Sequence, residues 1–137
     1  MLTSGNTKLH IKGQEVYGGN FADDAWHHAV ATWKSGESLK LYIDAKLEDE
    51  KSVGASTLAD NIVHLSTPEG SERFEGLIDE TAIWDDVLSS DEITEIYNSG
   101  TALDVRTNSG DYSSTDNLKG YWKMEDGSGT ALTDISG

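Results

Sequence analysis

Three consecutive stretches constrain the fold more than any others: Trp26-His-His-Ala-Val-Ala-Thr-Trp33, the turn Lys34-Ser-Gly-Glu-Ser38, and Leu39-Lys-Leu-Tyr-Ile43. The first is broken only by His and Thr, which predicts a central strand. The third alternates, with Leu39, Leu41 and Ile43 on one face and Lys40 and Tyr42 on the other, the period of a half-exposed strand. Strand, turn, strand in so short a span predicts an all-β chain. The 14 Gly against 1 Pro, with 4 Trp and 5 Tyr, suit short strands joined by turns better than a helical bundle.

The rest of the sequence follows the same pattern. Lys8 to Gly13 alternates, with Leu9 and Ile11 on one face, and Ile62 to Leu65 reads as a short strand. Thr67 to Ser71 is a turn carrying the proline, and Phe74 to Trp84 is the longest strand-like segment. The period then changes: Ile93, Ile96 and Tyr97 fall at helical spacing behind Ser89-Ser-Asp-Glu92, a capping-box pattern, so one short helix is expected near residues 90–98. Residues 107–117, rich in Ser, Asp, Asn and Gly, read as a linker or long surface loop, and Leu118 to Met124 returns to strand character.

At 137 residues the chain has the length of one ordinary domain. The 25 Asp and Glu against 10 Lys and Arg give a net charge of −15, which argues against nucleic acid or an anionic membrane surface as partner. No stretch is long and apolar enough for membrane insertion, and Met1 to Gly5 opens no signal peptide. Without cysteine there is neither a disulfide nor a thiolate metal site.

Four motifs in order, Trp26-His-His-Ala-Val-Ala-Thr-Trp33, Leu41-Tyr-Ile-Asp44, Phe74-Glu-Gly-Leu-Ile-Asp-Glu80 and Ile83-Trp84 with Leu88-Ser-Ser-Asp-Glu-Ile93, resemble the laminin G-like and pentraxin-like domains of the concanavalin A-like lectin and glucanase superfamily. The resemblance implies a jelly-roll sandwich of two antiparallel sheets. The tail, Gly120-Tyr-Trp-Lys-Met-Glu-Asp-Gly-Ser-Gly-Thr130 and Asp134-Ile-Ser-Gly137, resembles the motifs with which such a domain begins. The expected organisation is therefore the second half of the pattern over residues 1–106, a linker or loop over 107–117, and an opening strand and loop over 118–137. That tail either belongs to a next tandem repeat or completes the same domain, so the sandwich is either incomplete or circularly permuted. Its Tyr-Trp-Lys-Met form is also similar to surface and tail proteins of marine phages. The family usually has Asp-Gly where this chain has Asp44-Ala45, so the turn there is either looser or mildly strained.

The resemblance also bears on chemistry. Glucan-cleaving members carry Glu-x-Asp-x-Glu on one strand, a spacing absent from this sequence; Glu48-Asp49-Glu50 reads as a solvated charge run. His27 and His28 are structural by resemblance, and His10 and His64 are isolated strand histidines. Trp26, Trp33, Trp84 and Trp122 are expected in the core, whereas Tyr17 and Tyr112 lie in loops and are the candidate ligand-binding residues. A family Ca²⁺ site would fall on Asp79 and Asp134, two carboxylates of the six to eight oxygens that Ca²⁺ takes; Asp79 and Glu80 read equally as a buried or hairpin-capping pair. The expected function is a non-catalytic module binding a glycan or protein ligand at an extracellular or virion surface. The alternative is a structural or assembly module of a virion or cell-surface fibre, with self-association or tandem repeats.

Overall fold

A computed structural model describes residues 8–11, 13–19, 21, 23–57 and 76–137. The chain divides into two compact units, Met1–Leu77 and Ile78–Gly137.

In the first unit, β1 (Lys8–Ile11) and β2 (Gln14–Tyr17) form an antiparallel hairpin around Gly13, whose φ of +75° suits glycine. β3 (Ala29–Trp33), β4 (Ser38–Ile43) and β5 (Lys46–Ser52) form an antiparallel sheet in that order. The expected turn at Lys34–Ser38 is present: Lys34 N–H donates to the Ser38 carbonyl at 2.8 Å, and Gly36 takes φ +77°. Leu39, Leu41 and Ile43 point into the core with Val16 and Val53, and Phe21 and Trp33 pack against them. These three form the buried face of β4 as read, but the other face is not exposed as expected: Tyr42 is buried too and Lys40 is half-buried.

β4 and β5 are joined by Asp44 and Ala45 alone, since Ile43 pairs with Lys46, and both turn residues have positive φ, +50° and +64°. That is the two-residue hairpin whose twist suits strand pairing, and of the two alternatives it is the strained one. A left-handed alanine costs about 1–2 kcal/mol. Ala45→Gly removes that cost, less the greater freedom of glycine in the unfolded chain, so a stabilisation of about 0.5–1 kcal/mol is expected, read as a raised thermal midpoint.

In the second unit, β6 (Thr81–Trp84) pairs antiparallel with β7 (Leu118–Trp122) of the tail. Beyond β7 the chain returns, and Ile135 N–H donates to the Tyr121 carbonyl at 2.9 Å. α1 (Ser90–Tyr97) is the expected helix, and its N-terminus carries the complete capping box of Ser89 and Glu92. Asn98, left-handed at φ +43° and ψ +42°, ends it. Leu88, Ile93, Ile96, Val105, Tyr112, Leu118 and Tyr121 are buried.

Two expectations change. Within the described part of the segment expected to be the longest strand, residues 76–84, only Thr81–Trp84 is strand, and Glu80 turns left-handed at φ +51° just before it. Residues 107–117 form a surface loop, mostly exposed and anchored by Tyr112, which is 1% exposed. Trp26, expected in the core, is 64% exposed. The expected strand at 62–65 and the turn at 67–71 lie outside the described residues.

Candidate functional site

The most built surface loop in the first unit runs from Asp23 to His28. Asp23 Oδ1 accepts the Ala25 N–H at 3.1 Å, closing a tight Asx turn, and Asp24 takes φ +62°, a conformation that Asp tolerates. His27 is then held at both ring nitrogens: Nδ1 lies 2.7 Å from Asp44 Oδ2 and Nε2 lies 3.0 Å from Asp23 Oδ1. Its ring also meets Phe21, with centroids 5.0 Å apart. The Asp44 carboxylate, and then that of Asp23, raise the His27 pKa above the ordinary 6.5, against the opposing effect of burial. Asp44 Oδ1 accepts the His28 N–H at 2.9 Å, and the Asp44 N–H donates to the His28 carbonyl at 2.9 Å. The strained hairpin turn thereby holds the loop at two residues. Burial pushes the His28 ring below the ordinary value, as expected of a structural histidine.

Between the pinned residues, Trp26 projects outward. An indole on a fixed loop offers a flat apolar face with a polar N–H at little conformational cost, the properties that anchor ligands at binding surfaces.

The sequence-derived candidates lie elsewhere. Tyr17, at the end of β2, is 46% exposed; its N–H donates to Asp49 Oδ2 at 3.0 Å and its hydroxyl to Glu15 Oε2 at 2.5 Å. Tyr112 is a correction. Its ring is buried, its hydroxyl donates to the Val105 carbonyl at 2.8 Å and accepts from Trp84 Nε1 at 3.0 Å, so it is a core residue and presents nothing to a ligand.

Asp79 is exposed and accepts the Glu80 N–H at 3.0 Å. Asp134 Oδ1 accepts the Tyr121 N–H at 3.0 Å and the Ser136 N–H at 2.9 Å, bonds that lower its pKa. Among the described residues no group of three or more His, Asp or Glu side chains is gathered as a metal site. Each of these two carboxylates gives one oxygen to backbone N–H groups. Glu80 instead accepts the hydroxyl of Tyr121.

The run Glu48-Asp49-Glu50 is dispersed. A bulge in β5 falls at this point, and Glu48 pairs with Lys46 at 3.1 Å, Asp49 receives the Tyr17 N–H, and Glu50 pairs across the sheet with Lys40 at 3.3 Å. Three carboxylates with three separate partners are not arranged as a nucleophile and an acid facing one bond.

The concanavalin A-like lectin/glucanases superfamily matches residues 2–94, more than half of the chain. The chain belongs to this superfamily. This concanavalin A-like chain is 24% identical over 113 residues, 79% of its length, to adhesion G-protein coupled receptor V1 of Danio rerio. It is 36% identical over 73 residues, 50% of its length, to adhesion G-protein coupled receptor D1 of Bos taurus. It spans only 2% and 8% of these two receptors. Among solved structures it is similar to an S-layer domain-containing protein of Clostridium thermocellum, at 19% identity and a TM-score of 0.49, covering 61% of this chain and 45% of that one. The fold read from the sequence, all-β with antiparallel strands and one short helix, is that of the concanavalin A-like class.

The exposure of Trp26 was missed in the sequence because Trp26 sits inside a motif that reads as a buried strand, although the two aspartates before it read as loop.

Proposed function

We propose that the chain is a non-catalytic binding module that presents Trp26 to a carbohydrate or protein ligand at a cell or particle surface. The observation that carries this reading is the exposed indole on a loop fixed at both ends by Asp23 and Asp44. Membership in a superfamily of lectins, and similarity to parts of two adhesion receptors, support it. The net charge of −15 favours neutral or cationic ligands over sulfated or sialylated chains. The absence of the Glu-x-Asp-x-Glu spacing supports binding without hydrolysis.

The test is a binding panel of neutral oligosaccharides, cationic peptides and sulfated oligosaccharides against the immobilised chain. Saturable binding is expected from the first or second group. Trp26→Ala is expected to weaken it about thirty-fold, the effect of an anchor worth about 2 kcal/mol, with no fall in thermal midpoint. Binding that is unchanged in Trp26→Ala refutes the assignment. Self-association with no ligand in the panel would favour the structural or assembly reading.

A further inference from the structure

We infer that His27 is a pH-operated latch: as imidazolium it ties the Trp26 loop to the Asp44-Ala45 hairpin turn from both ring nitrogens, and on losing its proton it releases the Asp23 side. This inference goes beyond the binding reading and does not depend on it, since it concerns the ligand-free chain.

The argument is stereochemical. A carboxylate accepts hydrogen bonds and donates none, and His27 has one at each nitrogen, at 2.7 Å from Asp44 and 3.0 Å from Asp23. Both contacts are hydrogen bonds only when both nitrogens carry protons. In either neutral tautomer one carboxylate faces a lone pair, and that contact turns repulsive.

The geometry also says which tie fails. Asp44 is fixed by the turn it forms and by the His28 N–H on its other oxygen, and its side chain is 31% exposed. Asp23 is 57% exposed and otherwise accepts only the local Ala25 N–H among the described residues. Water can replace His27 at Asp23 more readily than at Asp44, so the neutral ring keeps its Nδ1 proton toward Asp44 and lets Asp23 go. The charged groups facing the ring are Asp44 from the β4–β5 turn and Asp23 from its own loop, while Phe21 covers it with an apolar face. Trp26, the residue between the two pinned positions, gains freedom when the latch opens.

The experiment follows the His27 ring nitrogens and the Trp26 indole signal by NMR from about pH 5 to about pH 8, with Trp26→Phe to assign the indole. The expected result is a doubly protonated ring at low pH that loses its Nε2 proton with a midpoint above 6.5, with the indole signal moving at the same midpoint. Asp23→Asn, an exposed change that leaves the Asp44 anchor intact, is expected to lower the midpoint, because it removes one of the two carboxylates that favour the imidazolium. The inference is overturned by a midpoint at or below 6.5, by loss of the Nδ1 proton first, or by an indole signal indifferent to the titration.

Discussion

Tyr112→Ala is expected to cost the second unit about 3–5 kcal/mol, the range for removing a buried aromatic ring. The ring is 1% exposed, and it packs edge-on against Trp84 with centroids 6.4 Å apart and planes at 79°. Its hydroxyl is the middle of a chain running from Trp84 Nε1 through Tyr112 to the Val105 carbonyl. Tyr112→Phe keeps the packing and removes only the hydroxyl, so about 1–3 kcal/mol is expected from an indole N–H and a carbonyl left without their partner. Urea unfolding of the two variants separates packing from hydrogen bonding. A double-mutant cycle with Trp84→Phe should show the pair to be non-additive. If Tyr112→Ala unfolds at the same urea concentration as the parent chain, the loop at 107–117 is not part of the core.

Glu92→Ala is the second large effect, at about 2–4 kcal/mol, because the carboxylate serves both the helix and the loop. Oε2 accepts the Ser89 N–H at 2.9 Å and its hydroxyl at 3.0 Å, and Oε1 accepts Ser114 Oγ at 2.5 Å and the Ser113 N–H at 3.3 Å. Burial alone would raise the pKa of this side chain, yet the hydrogen bonds from Ser114, Ser89 and Ser113 outweigh it and hold it at about 2, against 4.5 for a free glutamate. A depressed carboxylate stabilises the fold above its unfolded value and loses that contribution as pH falls toward its folded value. Between 4.5 and about 2 the second unit therefore loses up to about 3 kcal/mol. In Glu92→Gln that acid-dependent loss should disappear, although the variant starts less stable, because an amide cannot accept bonds at both ends. Urea midpoints at neutral and acid pH measure both effects. A parent chain as stable in acid as at neutrality would contradict this role.

What the sequence made legible was local. The capping box at Ser89 and Glu92 and the alternation of Leu39, Leu41 and Ile43 each follow from a spacing of two to four residues, and both appear in the fold as read. What it hid was set at long range or by single backbone angles. β2 was missed because Gln14-Glu15-Val16-Tyr17 has no apolar alternation, and its pairing is dictated by the left-handed turn at Gly13. The break before the strand at 81–84 was not foreseen because a left-handed Glu80 has no sequence signature, unlike a glycine. Tyr112 looked like a loop aromatic because its neighbours are Ser, Asp and Gly, yet its partners Trp84 and Val105 lie 28 and 7 residues away. The same holds for the candidate site: that His27 meets both Asp23 and Asp44 depends on the β3–β4 pairing, which brings Asp44 back beside the loop.

Whether Trp26 meets the ligand is read from its indole N–H signal during a titration. With the neutral oligosaccharide or cationic peptide that binds best in the panel, the signal is predicted to shift and saturate together with binding, while the Trp84 indole, held by Tyr112, stays in place. A ligand that saturates the chain and leaves the Trp26 signal unmoved would contradict the account.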